Sequence, residues 1–156
     1  MKSILIIFAL AGICGAFSAN IPPKDFRVLQ ITYTSIAEIS KAITNAIGNV
    51  TLWTNGKVDT RLELLNELKT FQSDLEEAMQ PFTEKFLNDT EYRPALIALD
   101  IYLQIHTNKM NTLITSLIPT MKGSTATNAI TSSLEVVRAT EIARENIHIL
   151  LSSLKE

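Results

Sequence analysis

The chain has 156 residues and a nearly balanced charge, with 14 Lys and Arg residues against 16 Asp and Glu residues. A net charge of −2 is too mild for a protein that depends on charge to bind nucleic acid or an anionic membrane. Hydrophobic residues make up 46% of the chain, which is enough apolar surface for a single domain to bury a core.

The first residues have the layout of a secretory signal peptide. Lys2 supplies a positive charge, residues 4–13 are almost wholly apolar, and small residues follow. Cleavage requires small side chains one and three positions before the cut, which fits a cut after Ser18 or after Ala16. A membrane-spanning helix needs about 20 apolar residues, roughly twice the length of this run. We therefore expect residues 1–18 to be a signal peptide and not a membrane anchor.

Removal of this segment leaves a mature chain without cysteine, because Cys14 is the only one. The domain at residues 19–156 must then hold its fold without disulfides, which is less usual for a small secreted domain. Two sequons, Asn49-Val50-Thr51 and Asn88-Asp89-Thr90, match the N-glycosylation pattern. We expect a secreted, extracellular glycoprotein with Asn49 and Asn88 as the glycosylation sites.

The first half of the mature chain contains two segments with the apolar spacing of amphipathic helices. The first covers residues 24–49, with Gly48 as part of its stop signal. The second covers residues 59–80, opened by Asp59 as an N-cap and ended by Pro81. Each segment has one apolar and one polar face, so we expect each to pack against other helices.

The second half contains two more helical segments. The third starts near Pro94, a residue that suits the first helical turn, and closes at Pro119. The fourth covers residues 125–154, with Ser124 or Thr125 as a cap. The third segment has apolar residues around more of its circumference than one stripe requires, which predicts that it is the central, most buried helix. The residues that widen its apolar face are Ile97, Ile101, Tyr102, Ile105 and Ile114.

Four amphipathic segments joined by short loops predict an all-α fold, an antiparallel up-down-up-down four-helix bundle. Short connections favour neighbouring helices that run in opposite directions. The mature chain has no linker long enough to separate two domains. The expected organisation is therefore a signal peptide followed by a single helical bundle.

The sequence contains little that points to catalysis or to a metal. It has no Gly-x-Ser-x-Gly, phosphate-loop or dinucleotide motif. Its two histidines, His106 and His148, have neither the companions nor the spacing of a zinc site. His106 falls in the inward-facing series of the third segment and is interpreted as a core histidine with a hydrogen-bonding partner. We expect no enzyme activity, no cofactor and no metal.

Aromatic and sulfur-containing residues on the apolar faces suggest a candidate ligand site in or beside the bundle interior. Ligand sites between bundle helices are common, although packing of the core is the simpler interpretation. The candidate ligand-binding residues are Tyr33, Phe71, Tyr102, His106 and Met110.

Two functional hypotheses follow from this pattern. The first is a secreted, non-enzymatic bundle that binds a lipid-like molecule or another apolar ligand or surface, through its interior or through an exposed apolar edge. The alternative is a secreted effector or signalling protein that binds a protein partner through a helix face. In both cases the expected partner is an apolar small molecule or a protein, with no nucleic acid and no transmembrane segment in the mature chain.

Overall fold

A computed structural model describes residues 23–53, 58–84 and 89–154 of the protein. The predicted signal peptide, its cleavage site and Asn88 lie outside these residues. The described residues are helical apart from short connections, and no strand occurs among them. The prediction of an all-helical fold is therefore confirmed.

The helices are α1 (Pro23–Leu52), α2 (Val58–Met79), the single turn α3 (Pro81–Glu84), α4 (Asp89–Leu117) and α5 (Gly123–Ser153). A 3₁₀ turn, Ile118–Thr120, separates α4 from α5. The long helices form a ring of neighbours, in which α1 packs against α2 and α5, and α4 packs against α2 and α5. None of the described helices is long and apolar enough to cross a membrane.

Several helix ends differ from the predicted ones. α2 begins at Val58, so Asp59 lies in its first turn and the prediction of Asp59 as the N-cap is wrong. The first helix continues through Gly48 to Leu52, because Val50 and Trp53 are fully buried and hold the last turn against the core. The fourth long helix begins at Gly123, with no side-chain cap at its start. The predicted capping role of Ser124 or Thr125 is therefore wrong.

The third long helix begins five residues before the predicted start at Pro94. It runs from Asp89 and includes Pro94 in its interior. A proline in a helix lacks the N–H that would bond to the carbonyl four residues earlier. Tyr92, which is fully buried, anchors this extra turn in the core.

Several of the residues that α5 buries are small, beside larger ones such as Ile130, Ile147 and Leu150. Buried hydroxyl groups of α5 bond to carbonyl oxygens of their own helix, as Ser133 does to Ala129 at 2.8 Å and Thr140 to Val136 at 2.7 Å. The small residues that α5 buries are Ala126, Ala129, Ser132, Ser133 and Ala143.

The expectation that the third predicted segment is the most buried helix is wrong. Ile97, Ile101, Tyr102 and Ile105 of α4 are 41%, 50%, 38% and 49% exposed. The reason lies in the ring arrangement, because a helix with two long neighbours leaves its outer side uncovered. Apolar residues all around α4 therefore produce an exposed apolar surface in addition to a buried one.

Candidate functional site

The predicted ligand-binding residues fall in different environments. Tyr33, Phe71 and Met110 are buried members of one hydrophobic core, and the Tyr33 hydroxyl donates a hydrogen bond to the Phe82 carbonyl at 3.2 Å. Phe71 and His106 are in direct contact, with parallel rings 4.5 Å apart. Tyr102 lies on the exposed side of α4. The structure thus brings Phe71 and His106 together and places Tyr102 on the outer surface.

Three side chains on one face of α2 form a cradle around His106 of α4. Glu67, Phe71 and Asp74 follow the four-and-three spacing that aligns residues along one side of a helix. Glu67 Oε1 hydrogen-bonds to His106 Nδ1, and Asp74 Oδ2 lies 2.8 Å from His106 Nε2. We call these four residues the His106 cluster.

The hydrogen bonds around His106 favour its charged form. Both ring nitrogens face carboxylate oxygens, and a neutral imidazole carries a single N–H. Only the imidazolium form can donate to Glu67 and Asp74 at the same time. Burial by itself lowers the pKa of His106, but the hydrogen bonds to both carboxylates and their negative charges outweigh it and raise the pKa above 6.5.

The His106 cluster links α2 to α4 through hydrogen bonds between ionisable side chains. Glu67 is 7% exposed and also lies 3.9 Å from the Lys109 ammonium, whereas Asp74 is 30% exposed. Glu67 and Lys109 line a groove of about 440 Å³ between the two helices, but His106 itself is 3% exposed. The arrangement can hold a proton and join two helices. Among the described residues, no group of His, Cys, Asp and Glu side chains could hold a metal ion.

The sequence interpretation did not identify Glu67 and Asp74 as partners of His106. Both look like ordinary charges beside the apolar stripe of α2. The available signal was indirect: a histidine in the inward series of one helix needs polar partners, and a Glu and an Asp flank a core aromatic on another. The sequence does not show which helix packs against the side of α4 that carries His106.

A second charged cluster joins α4 to α5 at the surface. Asp100 accepts hydrogen bonds from Arg144 Nε at 2.8 Å and from His148 Nε2 at 3.1 Å. Partial burial raises the pKa of Asp100, but the bonds to Arg144 and His148 outweigh it and leave that pKa below its usual value of 3.8. The carboxylate is therefore turned toward α5 and away from the outer side of α4.

The outer side of α4 carries an uncharged apolar surface, which we call the isoleucine face and define by Ile97, Ile101, Tyr102 and Ile105. The three isoleucines repeat every four residues and are between 41% and 50% exposed. Over residues 95–107, Asp100 and His106 are the ionisable side chains besides the Tyr102 phenol, and both are held by partners on neighbouring helices. The face therefore presents about three helical turns without an outward charge.

Exposed isoleucines on α5 have different surroundings. Ile142 and Ile149 are 50% and 59% exposed, but exposed charges at Glu141 and Glu145 lie on the same helix beside them. Ile142 also borders a groove of about 650 Å³ between α1 and α5. Charged groups line this groove as well: Glu38, Lys41, Glu135 and Arg138. The isoleucine face differs from these sites because no charged side chain points outward among its residues.

One of the two sequons lies within the described residues. Asn49 is half-buried in the last turn of α1, and its companion Thr51 is exposed and donates a hydrogen bond to the Ile47 carbonyl at 2.7 Å. Both residues are helical. Glycosylation at Asn49 and at Asn88 stays a prediction.

Comparisons with known proteins identify no relative of this chain. No family model matches it, no curated protein is significantly similar to it, and no solved structure matches its fold at a significant level.

Proposed function

We propose that this protein is a secreted, non-enzymatic helical bundle that binds an apolar ligand or apolar surface through its isoleucine face. The observation that carries the proposal is the run of exposed, uncharged side chains Ile97, Ile101, Tyr102 and Ile105 on one helix. Isolated exposed apolar residues are ordinary in folded proteins, but contiguous apolar patches mark interaction sites.

The size of the face favours reversible binding. Burying a whole isoleucine side chain contributes about 1.5–3 kcal/mol, so covering the exposed half of three contributes about 3 kcal/mol. Loss of translational and rotational freedom opposes this gain for a single small ligand. An extended surface, such as a lipid layer, also accommodates Tyr102, whose amphipathic ring suits an apolar–water boundary. We therefore favour a lipid-like surface over a single small apolar molecule.

Of the predicted ligand-binding residues, Tyr102 belongs to this face. The other four, Tyr33, Phe71, His106 and Met110, are buried and would contact a ligand only if helices moved apart. The His106 cluster opposes such movement, because separating α2 from α4 breaks two charge-assisted hydrogen bonds. The exposed face therefore requires less rearrangement than an interior site.

The proposal includes the finer features expected from the sequence: a signal peptide cleaved after Ser18 or Ala16, extracellular localisation, and an up-down-up-down topology. Pairings between helices support that topology. On α4 and α5, Arg93 bonds to the Leu151 carbonyl while Asp100 bonds to Arg144, so residue numbers rise on one helix as they fall on the other. This order is the one that antiparallel neighbours produce.

Retention of the purified protein on octyl-agarose tests the proposal. Ile101→Gln and Ile142→Gln are a matched pair, since both isoleucines are 50% exposed on long helices. We expect Ile101→Gln to weaken binding to the resin about fivefold and the triple variant Ile97→Gln/Ile101→Gln/Ile105→Gln to weaken it about 100-fold. Ile142→Gln should change it less than about twofold.

Equal weakening by the two single variants would contradict the proposal, because it would show general surface hydrophobicity. Binding to neutral phosphatidylcholine vesicles, and mass spectrometry of an organic extract of the secreted protein, test the lipid-like class directly. The alternative function, a secreted effector with a protein partner, would gain support if the triple variant kept its affinity for resin and vesicles.

A further inference from the structure

We propose that the groove between α1 and α5 is a binding site for a small phosphate-bearing molecule that also carries an ammonium group. The groove has a volume of about 650 Å³, which lies within the range of ligand pockets in proteins. None of its lining residues belongs to the isoleucine face. The inference therefore goes beyond the proposed function and does not rest on it.

Small side chains form the deeper part of the groove, and charged side chains form its rim. Among the lining residues, Ala143 is buried, and Ala42 and Ala139 are half-buried. The exposed rim carries one carboxylate and one cation from each helix, namely Glu38 and Lys41 of α1 and Glu135 and Arg138 of α5. The groove thus combines open space with charges of both signs.

The four charged side chains of the rim are available to a ligand. None of them forms an ion pair or a hydrogen bond with another residue in the part of the chain that the structure describes. Glu38 and Lys41 are three residues apart, as are Glu135 and Arg138, and exposed pairs at this spacing add little stability. A ligand that competes with such pairing therefore loses little.

One contact between the helices sets their register. Asn146 Nδ2 donates a hydrogen bond to Ser35 Oγ at 3.2 Å, so these two residues lie opposite each other. Residues 34–45 of α1 and 135–146 of α5 border the same groove, with this contact at one end of it. The two ranges lie side by side only when the helices run in opposite directions, as in the topology proposed above.

In this register the two cations face each other across the groove. Lys41 is six residues after Ser35, and Arg138 is eight residues before Asn146. Their positions along the helix axes therefore differ by about 3 Å. Because they are on opposite helices, an anion between them is approached by a cation from either side.

The two carboxylates lie beyond the cations, one toward each end of the groove. By the same count, Glu38 and Glu135 are separated by about 12 Å along the axes, with both cations between them. The order of charges along the groove is negative, positive, positive, negative. Each carboxylate is thus about 6 Å along the axis from the centre of the cationic section.

A phosphate group fits the centre of this pattern. Its oxygens point in several directions, so it accepts hydrogen bonds from a guanidinium on one side and an ammonium on the other. An ammonium group at the end of the ligand then reaches the level of a carboxylate. In phosphorylethanolamine, four covalent bonds separate the phosphorus and nitrogen atoms, which is about 5 Å when extended.

The lining residues also indicate which kind of ammonium group fits. Quaternary ammonium groups are recognised by aromatic rings, and none of the described residues that line the groove is aromatic. Carboxylates instead accept hydrogen bonds from a primary ammonium. We therefore expect the ligand to carry the phosphorylethanolamine group, either as a free molecule or as a lipid headgroup.

Isothermal titration calorimetry with phosphorylethanolamine in a phosphate-free buffer tests the site. We expect a dissociation constant of about 0.1–1 mM, as suits a few exposed charge-assisted contacts. Lys41→Gln and Arg138→Gln should each weaken binding about fivefold. Lys69→Gln is the matched control, because Lys69 is an exposed lysine of α2 outside the groove, and it should change binding less than about twofold.

Two results would overturn the site itself. The first is the absence of binding up to about 10 mM phosphorylethanolamine. The second is equal weakening by Lys41→Gln and Lys69→Gln, which would show that any surface lysine has the same effect. Circular dichroism melting curves establish that each variant is folded.

Related compounds test the two charged groups of the ligand. We expect inorganic phosphate, ethanolamine and phosphorylcholine each to bind at least about fivefold more weakly than phosphorylethanolamine. The double variant Glu38→Gln/Glu135→Gln should lose the preference over inorganic phosphate, because no carboxylate remains for the ammonium group. Equally tight binding of inorganic phosphate overturns the ammonium requirement. Equally tight binding of 4-aminobutyrate, which carries a carboxylate, overturns the phosphate requirement.

Vesicles distinguish a lipid headgroup from a free molecule. The triple variant Ile97→Gln/Ile101→Gln/Ile105→Gln is titrated with phosphatidylcholine vesicles with and without phosphatidylethanolamine. Binding that requires phosphatidylethanolamine and is weakened by adding Arg138→Gln assigns the headgroup, whereas binding of free phosphorylethanolamine alone assigns the soluble molecule. Octyl-agarose carries no phosphate, so retention on it tests the isoleucine face separately from the groove.

Discussion

At the scale of single residues, the His106 cluster joins charged and aromatic side chains of two helices. Two carboxylates and an aromatic ring from α2 hold one imidazolium of α4, and Lys109 balances part of the remaining negative charge. A buried pair is costly to break, because the group left behind has no water to replace its partner.

Replacing His106 by Gln should therefore lower the free energy of unfolding by about 3 kcal/mol. Glutamine is neutral, and it leaves the buried Glu67 carboxylate without its cationic partner. Urea titration followed by circular dichroism measures the change. His148→Gln serves as the control, because His148 is 56% exposed and its loss should cost less than about 1 kcal/mol. An equal loss of unfolding free energy in the two variants would contradict the stabilising contribution of the His106 cluster.

The same cluster predicts how stability depends on pH. The pKa of His106 is raised above 6.5 in the folded protein, so the folded state holds this proton more tightly than the unfolded state does. The resulting stabilisation is fully present below pH 6.5 and is lost as pH rises through the folded-state pKa. Glu67, Asp74 and Lys109 are the charged groups that the structure shows around the ring or its partners.

We expect the free energy of unfolding to fall as the pH rises above about 6.5, and this fall to be absent in His106→Gln. Urea titrations at half-unit pH intervals measure both curves, with His148→Gln as the control that keeps the slope. An unchanged slope in His106→Gln would assign the pH dependence to another group.

At the scale of the elements, two glycines show how position decides the effect of the same substitution. Gly123 starts α5 with φ of 86°, a conformation that residues with a side chain rarely adopt. Gly48 lies within α1, its φ is not positive, and a Cβ added there would meet no atom within 4 Å.

We expect Gly123→Ala to destabilise the protein by about 1–2 kcal/mol, because a left-handed conformation is strained for alanine. Gly48→Ala should stabilise it by about 0.5–1 kcal/mol, because alanine is the better helix former and has room. Thermal melting of both variants measures the difference. A loss of stability in Gly48→Ala would contradict the placement of that residue in the interior of α1.

At the scale of the whole molecule, the ring of four long helices explains what the sequence could and could not predict. Apolar periodicity predicted the helices and their inward faces, because Leu29, Ile36 and Ile43 recur every seven residues and all three are buried. Periodicity did not locate the isoleucine face, because α4 is apolar on both its inner and outer sides. Which side is covered depends on the number of neighbours, and that is a property of the assembled bundle.

The candidate site could also be predicted only in part from the sequence. His106 was placed correctly on an inward-facing series, but Glu67 and Asp74 became its partners only through the packing of α2 against α4. Helix ends at Leu52 and Asp89 were missed for a related reason. Burial of Trp53 and Tyr92 extends these helices past residues that locally favour a break, namely Gly48 and Pro94.

Trp53 gives the molecule a built-in optical reporter. It is the single tryptophan of the chain, and its indole is fully shielded from water at the end of α1. Its fluorescence emission should shift to longer wavelength only when the core opens. An apolar molecule that stays on the outer side of α4 should leave the emission spectrum unchanged, whereas one that separates the helices should alter it. The emission spectrum can therefore distinguish a ligand bound to the outer side of α4 from a ligand inside the bundle, without any added label.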